Sequence, residues 1–128
     1  HTTRMEALLA PHDVSVAQFS ILNHLARRAD SPCRISDIAR SVEVQQPAVT
    51  KAIAKFEVMG LVTVSGNARD QRSRLVTLSE AGFGHLAAVR QTLIPTFKAC
   101  FEGWSDGEID QFSAYLRRLG SWYDTNRL

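Results

Sequence analysis

The stretch that decides the fold runs from Ser36 to Val64, SDIARSVEVQQPAVTKAIAKFEVMGLVTV, with ARDQRSR at 68–74 and LVTL at 75–78 behind it. Ser36 has the side chain of a helix cap, and Ile38, Ala39 and Val42 share one face of the short helix it would open. Glu43 and Val44 leave room only for a tight connection. In residues 46–59 the apolar Val49, Ala52, Ile53 and Phe56 recur at helical spacing and turn inward, whereas Pro47, Thr50, Lys51, Ala54 and Lys55 lie outward or on the flanks. Pro47 suits the first turn of that helix, where its missing N–H costs nothing. Gly60 ends it. Leu61–Val64 and Leu75–Leu78 then read as two strands, and the polar Ala68–Arg74 between them gives a β-hairpin with a basic tip. Two short helices on a tight turn followed by such a hairpin is the arrangement of a winged helix-turn-helix DNA reader.

The flanks are helical. Met5, Leu8 and Leu9 are spaced as one edge of an amphipathic helix over residues 1–10, closed by Pro11. Ser15 caps a helix predicted to reach about Ala29, with Ile21, Leu22, Leu25 and Ala26 inward. Ser79 caps a long helix with Phe83, Leu86, Ala87, Leu93, Ile94, Phe97 and Phe101 on one side and a kink expected at Pro95. Ser105 and Glu108 form a capping box for a last helix that keeps Ile109, Phe112, Leu116, Leu119 and Tyr123 in one stripe. The fold class is therefore mainly α with a small β-hairpin wing.

Composition bounds the function. A chain of 128 residues is one domain's length, and its apolar fraction of 45% suits a globular core. No run of roughly 20 apolar residues is present, and His1 to Ala10 lacks the pattern of a secretory signal, so the expected compartment is the cytoplasm, with no membrane partner. Cys33 and Cys100 are too few for a disulfide framework, and the histidines at 1, 12, 24 and 85 have no zinc spacing, so neither a metal nor a cofactor is expected. No nucleophile elbow, phosphate loop or acid pair points to catalysis. The formal charge of +2 says little until it is divided: residues 45–74 carry five cations against two carboxylates, a net of +3, whereas residues 101–128 have a net of −2. The positive end falls on the reading element.

Five fragments in order carry a resemblance: Ser36-Asp37-Ile38-Ala39, Gln46-Pro47-Ala48-Val49-Thr50-Lys51, Met59-Gly60-Leu61-Val62, Arg69-Asp70-Gln71-Arg72-Ser73-Arg74 and Leu75-Val76-Thr77-Leu78-Ser79-Glu80-Ala81-Gly82. Together they are similar to the signature of MarR-type transcriptional regulators over roughly residues 14 to 90. The resemblance implies a single domain over 1–128, with a winged helix-turn-helix lobe at about 31–80 and dimerisation helices at about 1–12 and 83–128. Glu43 departs from the pattern, because such turns often carry Gly for a left-handed backbone.

The resemblance and groove chemistry together assign roles. Gln45, Gln46, Ala48 and Thr50, with Pro47 among them, open the recognition helix and are expected to read base edges in the major groove of double-stranded DNA, Gln being able to pair bidentately with adenine. Lys51 and Lys55 are expected on phosphates. In MarR-like wings an Arg enters the minor groove and an Asp orients it, which falls here on Arg72 and Asp70; Arg69, Arg74 and Ser36 would take neighbouring phosphates. A solvated helix face for the lysines and a turn-stabilising pair for Asp70 and Arg72 are the plainer readings. Met5, Leu8, Leu9, Phe112, Leu116, Leu119, Trp122 and Tyr123 exceed what one small core covers and are expected at a homodimer interface. Arg90 falls by helical phase inside the apolar stripe, where it needs a carboxylate or an anionic ligand; by analogy a small aromatic or anionic ligand would sit with His12, Phe19 and Arg90. The leading expectation is a ligand-responsive homodimeric repressor on a pseudo-palindromic operator. A cysteine-based redox regulator of the same fold and a winged helix used only for protein contacts are the alternatives.

Overall fold

A computed structural model describes residues 2–66, 70 and 73–126. Its elements in chain order are α1 (Thr2–Leu9), a 3-10 turn (Ala10–His12), α2 (Val16–Arg27), β1 (Cys33–Arg34), α3 (Ile35–Val42), α4 (Gln46–Val58), β2 (Val62–Ser65), β3 (Leu75–Leu78), α5 (Glu80–Cys100) and α6 (Asp106–Thr125). The chain divides into two compact units, His1–Leu93 and Ile94–Leu128.

The first unit holds the core. Leu9, Ile21, Leu22, Leu25, Ile38, Val49, Ile53, Phe56, Val76, Leu86 and Val89 are almost wholly withdrawn from solvent, so α1 to α5 and the sheet each contribute. Burying a side chain such as Val, Ile or Phe is worth roughly 1.5–3 kcal/mol, and the inward stripe of α4 supplies three such positions, Val49, Ile53 and Phe56, beside the smaller Ala52. Ser15 accepts from the Gln18 backbone N–H while Gln18 Oε1 accepts from the Ser15 N–H, a complete capping box for α2. That helix ends at Arg27, two residues before the expected end at Ala29.

α3 and α4 are joined by residues 43–45. Glu43 has φ 57° and ψ 43°, the left-handed turn conformation that its sequence position implied. Ser36 does not cap α3: the helix starts at Ile35, its N-cap is Arg34, and Ser36 sits inside the first turn, because the chain enters from an extended pair, Cys33–Arg34. Those two residues form the strand that sequence reading missed. They pair antiparallel with Leu75 and Val76, giving a three-stranded sheet in the order β1-β3-β2. Two residues have no periodicity, and only the partner strand makes them legible.

The end of α4 positions the wing. Gly60, at φ 76°, donates to the Glu57 carbonyl and Leu61 donates to Phe56, so two otherwise open helix carbonyls are capped and the chain turns into β2. Ser79 then ties the return strand to this corner, its N–H donating to the Leu61 carbonyl and its hydroxyl to the Gly60 carbonyl. α5 runs as one helix through Pro95. Its buried line is Gly82, Leu86, Val89 and Leu93, not the line through Ala87 and Arg90.

That phase corrects the reading of Arg90. Val89 takes the core position, and Arg90 is exposed and donates to Asn23 Oδ1 at 2.8 Å, so no buried charge has to be neutralised. Leu9 is a second correction: it is 0% exposed within its own chain and cannot be a direct dimer contact, while Met5 and Leu8 pack partly against the same core.

In the second unit the Ser105–Glu108 capping box forms as expected. Phe101, Trp104 and Phe112 make an aromatic cluster, with ring centroids 5.0 to 5.7 Å apart, around the turn before α6. Beyond it, Tyr115, Leu116, Leu119, Trp122 and Tyr123 are all more than half exposed.

Candidate nucleic-acid interface

The candidate reading element is built by burying one side of α4 and leaving its start open. Val49, Ala52, Ile53 and Phe56 anchor the helix, and Gln45, Gln46, Pro47, Ala48 and Lys51 are exposed in consequence. Gln45 is the N-cap without a side-chain cap; Pro47 has no N–H and the Ala48 N–H donates to the Gln45 carbonyl at 3.0 Å, so the exposed polar side chains are what this end presents. That end offers donors, a positive dipole end and two carboxamides within one turn. Thr50 is half-buried and its hydroxyl donates back to the Gln46 carbonyl at 3.1 Å, so its own polar group is satisfied within the first turn. Ser36 is exposed in the first turn of α3.

The wing is described in part. Ser73 donates from both its N–H and its hydroxyl to the Asp70 carbonyl, at 3.1 and 2.9 Å, which holds the return of the loop. Gly66, at φ 98°, lies so close to this segment that a Cβ would come within 2.3 Å of the Ser73 carbonyl oxygen. Asp70 is exposed. Arg69 and Arg72 lie outside the described residues. Arg74 is turned to α4, its Nη2 3.7 Å from Glu57 Oε1, which links the wing to the recognition helix and competes with any phosphate role.

Lys55 departs most from expectation. Its Nζ donates to the Asp13 carbonyl at 2.6 Å and to Gln18 Oε1 at 3.0 Å, and it lies 3.3 Å from Asp13 Oδ1. Lys55 is thus held by its own chain and not presented to a phosphate. Neither Asp13 nor Gln18 stood out in the sequence, because nothing local relates residue 13 to residue 55.

The three expected ligand residues go to different partners. Arg90 holds Asn23, Phe19 packs on the core, and His12 Nε2 lies 2.6 Å from Thr92 Oγ1. His85 Nε2 donates to the His12 carbonyl at 2.9 Å, and the two imidazoles meet edge to face. His85 and Thr92 were not anticipated, although their spacing of seven places both on one helical face.

Cys33 is buried and lines a cavity of about 250 Å³ with His24, Arg28, Asp37 and Arg40. Burial pushes its thiol above the usual value, only partly offset by Arg28. Such a thiol stays protonated near neutral pH, the opposite of what a redox sensor needs. Among the described residues no group of three His, Cys, Asp or Glu is placed to hold a metal, and no helix is long and apolar enough to cross a membrane.

Comparison with known proteins places these features. The MarR family model matches residues 12–73. The chain is 27% identical over 118 residues to the uncharacterized HTH-type transcriptional regulator YwhA of Bacillus subtilis (strain 168), covering 92% of this chain and 84% of that protein. Its fold is similar to that of a MarR-family transcriptional regulator from Silicibacter pomeroyi, at a TM-score of 0.79 and 20% identity over 99% of this chain and 84% of the other. It is also similar to Staphylococcus aureus MepR solved in a complex with DNA, at a TM-score of 0.68 and 20% identity over 94% and 86% of the two chains. The chain thus matches the MarR family model over residues 12–73, the helix-turn-helix and the start of the wing, and its fold is similar to that of solved MarR-family regulators.

Proposed function

We propose that this protein is a cytoplasmic, homodimeric repressor that reads double-stranded DNA through the start of α4 and the wing, and that a small aromatic or anionic ligand releases it. The observation that carries the reading is the exposed run Gln45–Ala48 with Lys51 on a helix whose opposite face is fully anchored. A MepR–DNA complex of the same fold supports it. Gln46 is assigned to base edges, Lys51 to a phosphate, and Arg72, oriented by Asp70, to the minor groove.

The dimer is supported by α6, whose Leu116, Leu119, Trp122 and Tyr123 are left open by their own chain. A two-fold axis then places two reading heads on half-sites about 10 bp apart. Ligand release would act through head spacing, since only one spacing fits successive major grooves.

Affinity for genomic fragments at two salt concentrations tests the proposal. DNA binding through phosphates weakens steeply as salt rises, and a flat response would sink it. Within the site, Arg72→Ala should weaken binding about tenfold or more, as expected for loss of a charge-assisted contact worth roughly 1.5–3 kcal/mol.

A further inference from the structure

We propose that Lys55 is a positioning residue of the reading head, a tether that sets the pose of the recognition helix and links it through Asp13 and His12 to α5. The inference rests on the reading of α4 as the helix that enters the groove, and it assigns that helix its internal control.

The geometry accounts for all three donors of the ammonium. One goes to the Asp13 carbonyl, one to Gln18 Oε1, and the third faces Asp13 Oδ1. A phosphate could be reached only by giving one of them up. The acceptors are themselves fixed. Asp13 sits at φ 57° with its N–H bonded to the Ala10 carbonyl, so the backbone aims its carbonyl, and Gln18 Oε1 is the same oxygen that completes the capping box of α2. One amide oxygen therefore sets the start of α2 and the side of α4 together.

The corner is in turn held by α5. Thr92 donates to the Ala88 carbonyl, so His12 Nε2–H donates to Thr92 Oγ1, and the His12 carbonyl accepts from His85. Hydrogen bonds from α5 to His12 and from Asp13 to Lys55, joined by the peptide link between residues 12 and 13, thus connect α5 to α4. All of its members lie within the first compact unit. Lys55 is nine residues beyond Gln46, about 13 Å along the helix axis at 1.5 Å per residue. The tether holds the far end of a rigid rod whose near end reads bases, so a small tilt at residue 55 is carried to Gln45–Ala48.

The test separates a tether from a phosphate contact by salt dependence. A duplex is selected from a random-sequence pool with the full wild-type chain. Affinity for it and for an unselected duplex is then measured across salt for Lys55→Met, Thr92→Val, the double variant and, as the phosphate-contact reference, Lys51→Met. Lys55→Met is expected to lose about tenfold on the selected duplex, little on the unselected one, and nothing in salt slope. Lys51→Met should lose on both, with the slope shallower by about 0.9. Thr92→Val should repeat the Lys55 pattern more weakly, and the double variant should lose less than the two single losses combined. A Lys55→Met slope that falls by about 0.9 with equal loss on both duplexes, or no loss on the selected one, would overturn the tether. Should Lys55→Met lose the wild-type circular dichroism, Gln18→Met removes the shared acceptor instead. Selective loss at constant slope then supports the tether, and no loss overturns it. A wild-type chain that selects no duplex sinks the DNA reading itself, a different result from any of these.

Discussion

Glu43 turns the chain between α3 and α4 at φ 57°, a conformation that costs a residue with a Cβ roughly 1–2 kcal/mol. Glycine there removes the clash but also gains freedom in the unfolded chain, so Glu43→Gly should raise stability by no more than about 1 kcal/mol. A thermal melt checks the sign, and a fall would show that the glutamate side chain matters more than its backbone. Gln46 makes a sharper residue-scale case. Its carboxamide is exposed and its carbonyl anchors Thr50, so Gln46→Ala should change which duplex a random pool yields while leaving nonspecific affinity within about twofold. Cys33 and Cys100 should differ in kind. Cys33 is buried with its thiol pKa raised, whereas Cys100 is exposed, so iodoacetamide at pH 8 should label Cys100 first, as peptide mass mapping would record. Because the folded state favours the neutral Cys33 thiol, its contribution to stability is full below the unfolded pKa and is lost as pH rises through the folded one.

At the scale of elements, close approach and capping decide most. Gly82, in the first turn of α5, has no room for a side chain: a Cβ would lie 2.1 Å from the Leu61 carbonyl oxygen and 2.6 Å from Leu78 Cδ1. Gly82→Ala must push α5 away from the α4–β2 corner, and the expected loss is about 1–3 kcal/mol by urea denaturation. Ser105 and Glu108 start α6, and bonds from the Ser105 backbone and side chain lower the Glu108 pKa. A depressed carboxylate adds stability above its unfolded pKa and loses it as pH falls through the folded one. The protection factor for amide exchange at the start of α6 should therefore fall in acid. In Ser105→Ala, which removes a cap worth about 1 kcal/mol, it should already be low at neutral pH.

For the whole molecule the question is what covers α6. Its Leu116, Leu119, Trp122 and Tyr123 are 52–58% exposed in the single chain. A Leu116→Glu, Leu119→Glu double variant should sediment as a monomer while keeping the fold of residues up to Leu93. It should also lose affinity for a two-half-site operator far more than for a half-site, since the second head then no longer adds its contacts. A wild-type chain that is monomeric at micromolar concentration contradicts the dimer.

The helix-turn-helix and its wing were legible because their signals are local: the stripe Val49, Ala52, Ile53, Phe56, the stop at Gly60, and the two β-rich runs around a polar tip each depend on residues a few positions apart. The exposed face of α4 followed as the complement of that stripe. Phase was less secure on α5, where apolar residues occupy two adjacent faces and the sequence could not say which one the core would take. The structure chose Leu86, Val89 and Leu93, and Arg90 moved from a presumed buried charge to a surface bond with Asn23. Leu9 was misread for a related reason: an apolar helix edge has the same pattern whether its own core or a second copy covers it. Sequence by itself thus determined the helices, the hairpin and which end of α4 faces outward, since spacing and capping act within one or two helical turns, whereas the two-residue strand Cys33–Arg34 needed its partner. Only the tertiary structure decided what Lys55 does, because its partners at 13 and 18 are brought to it by the packing of α2 against the rest of the lobe, and no local pattern records a contact across some 40 residues.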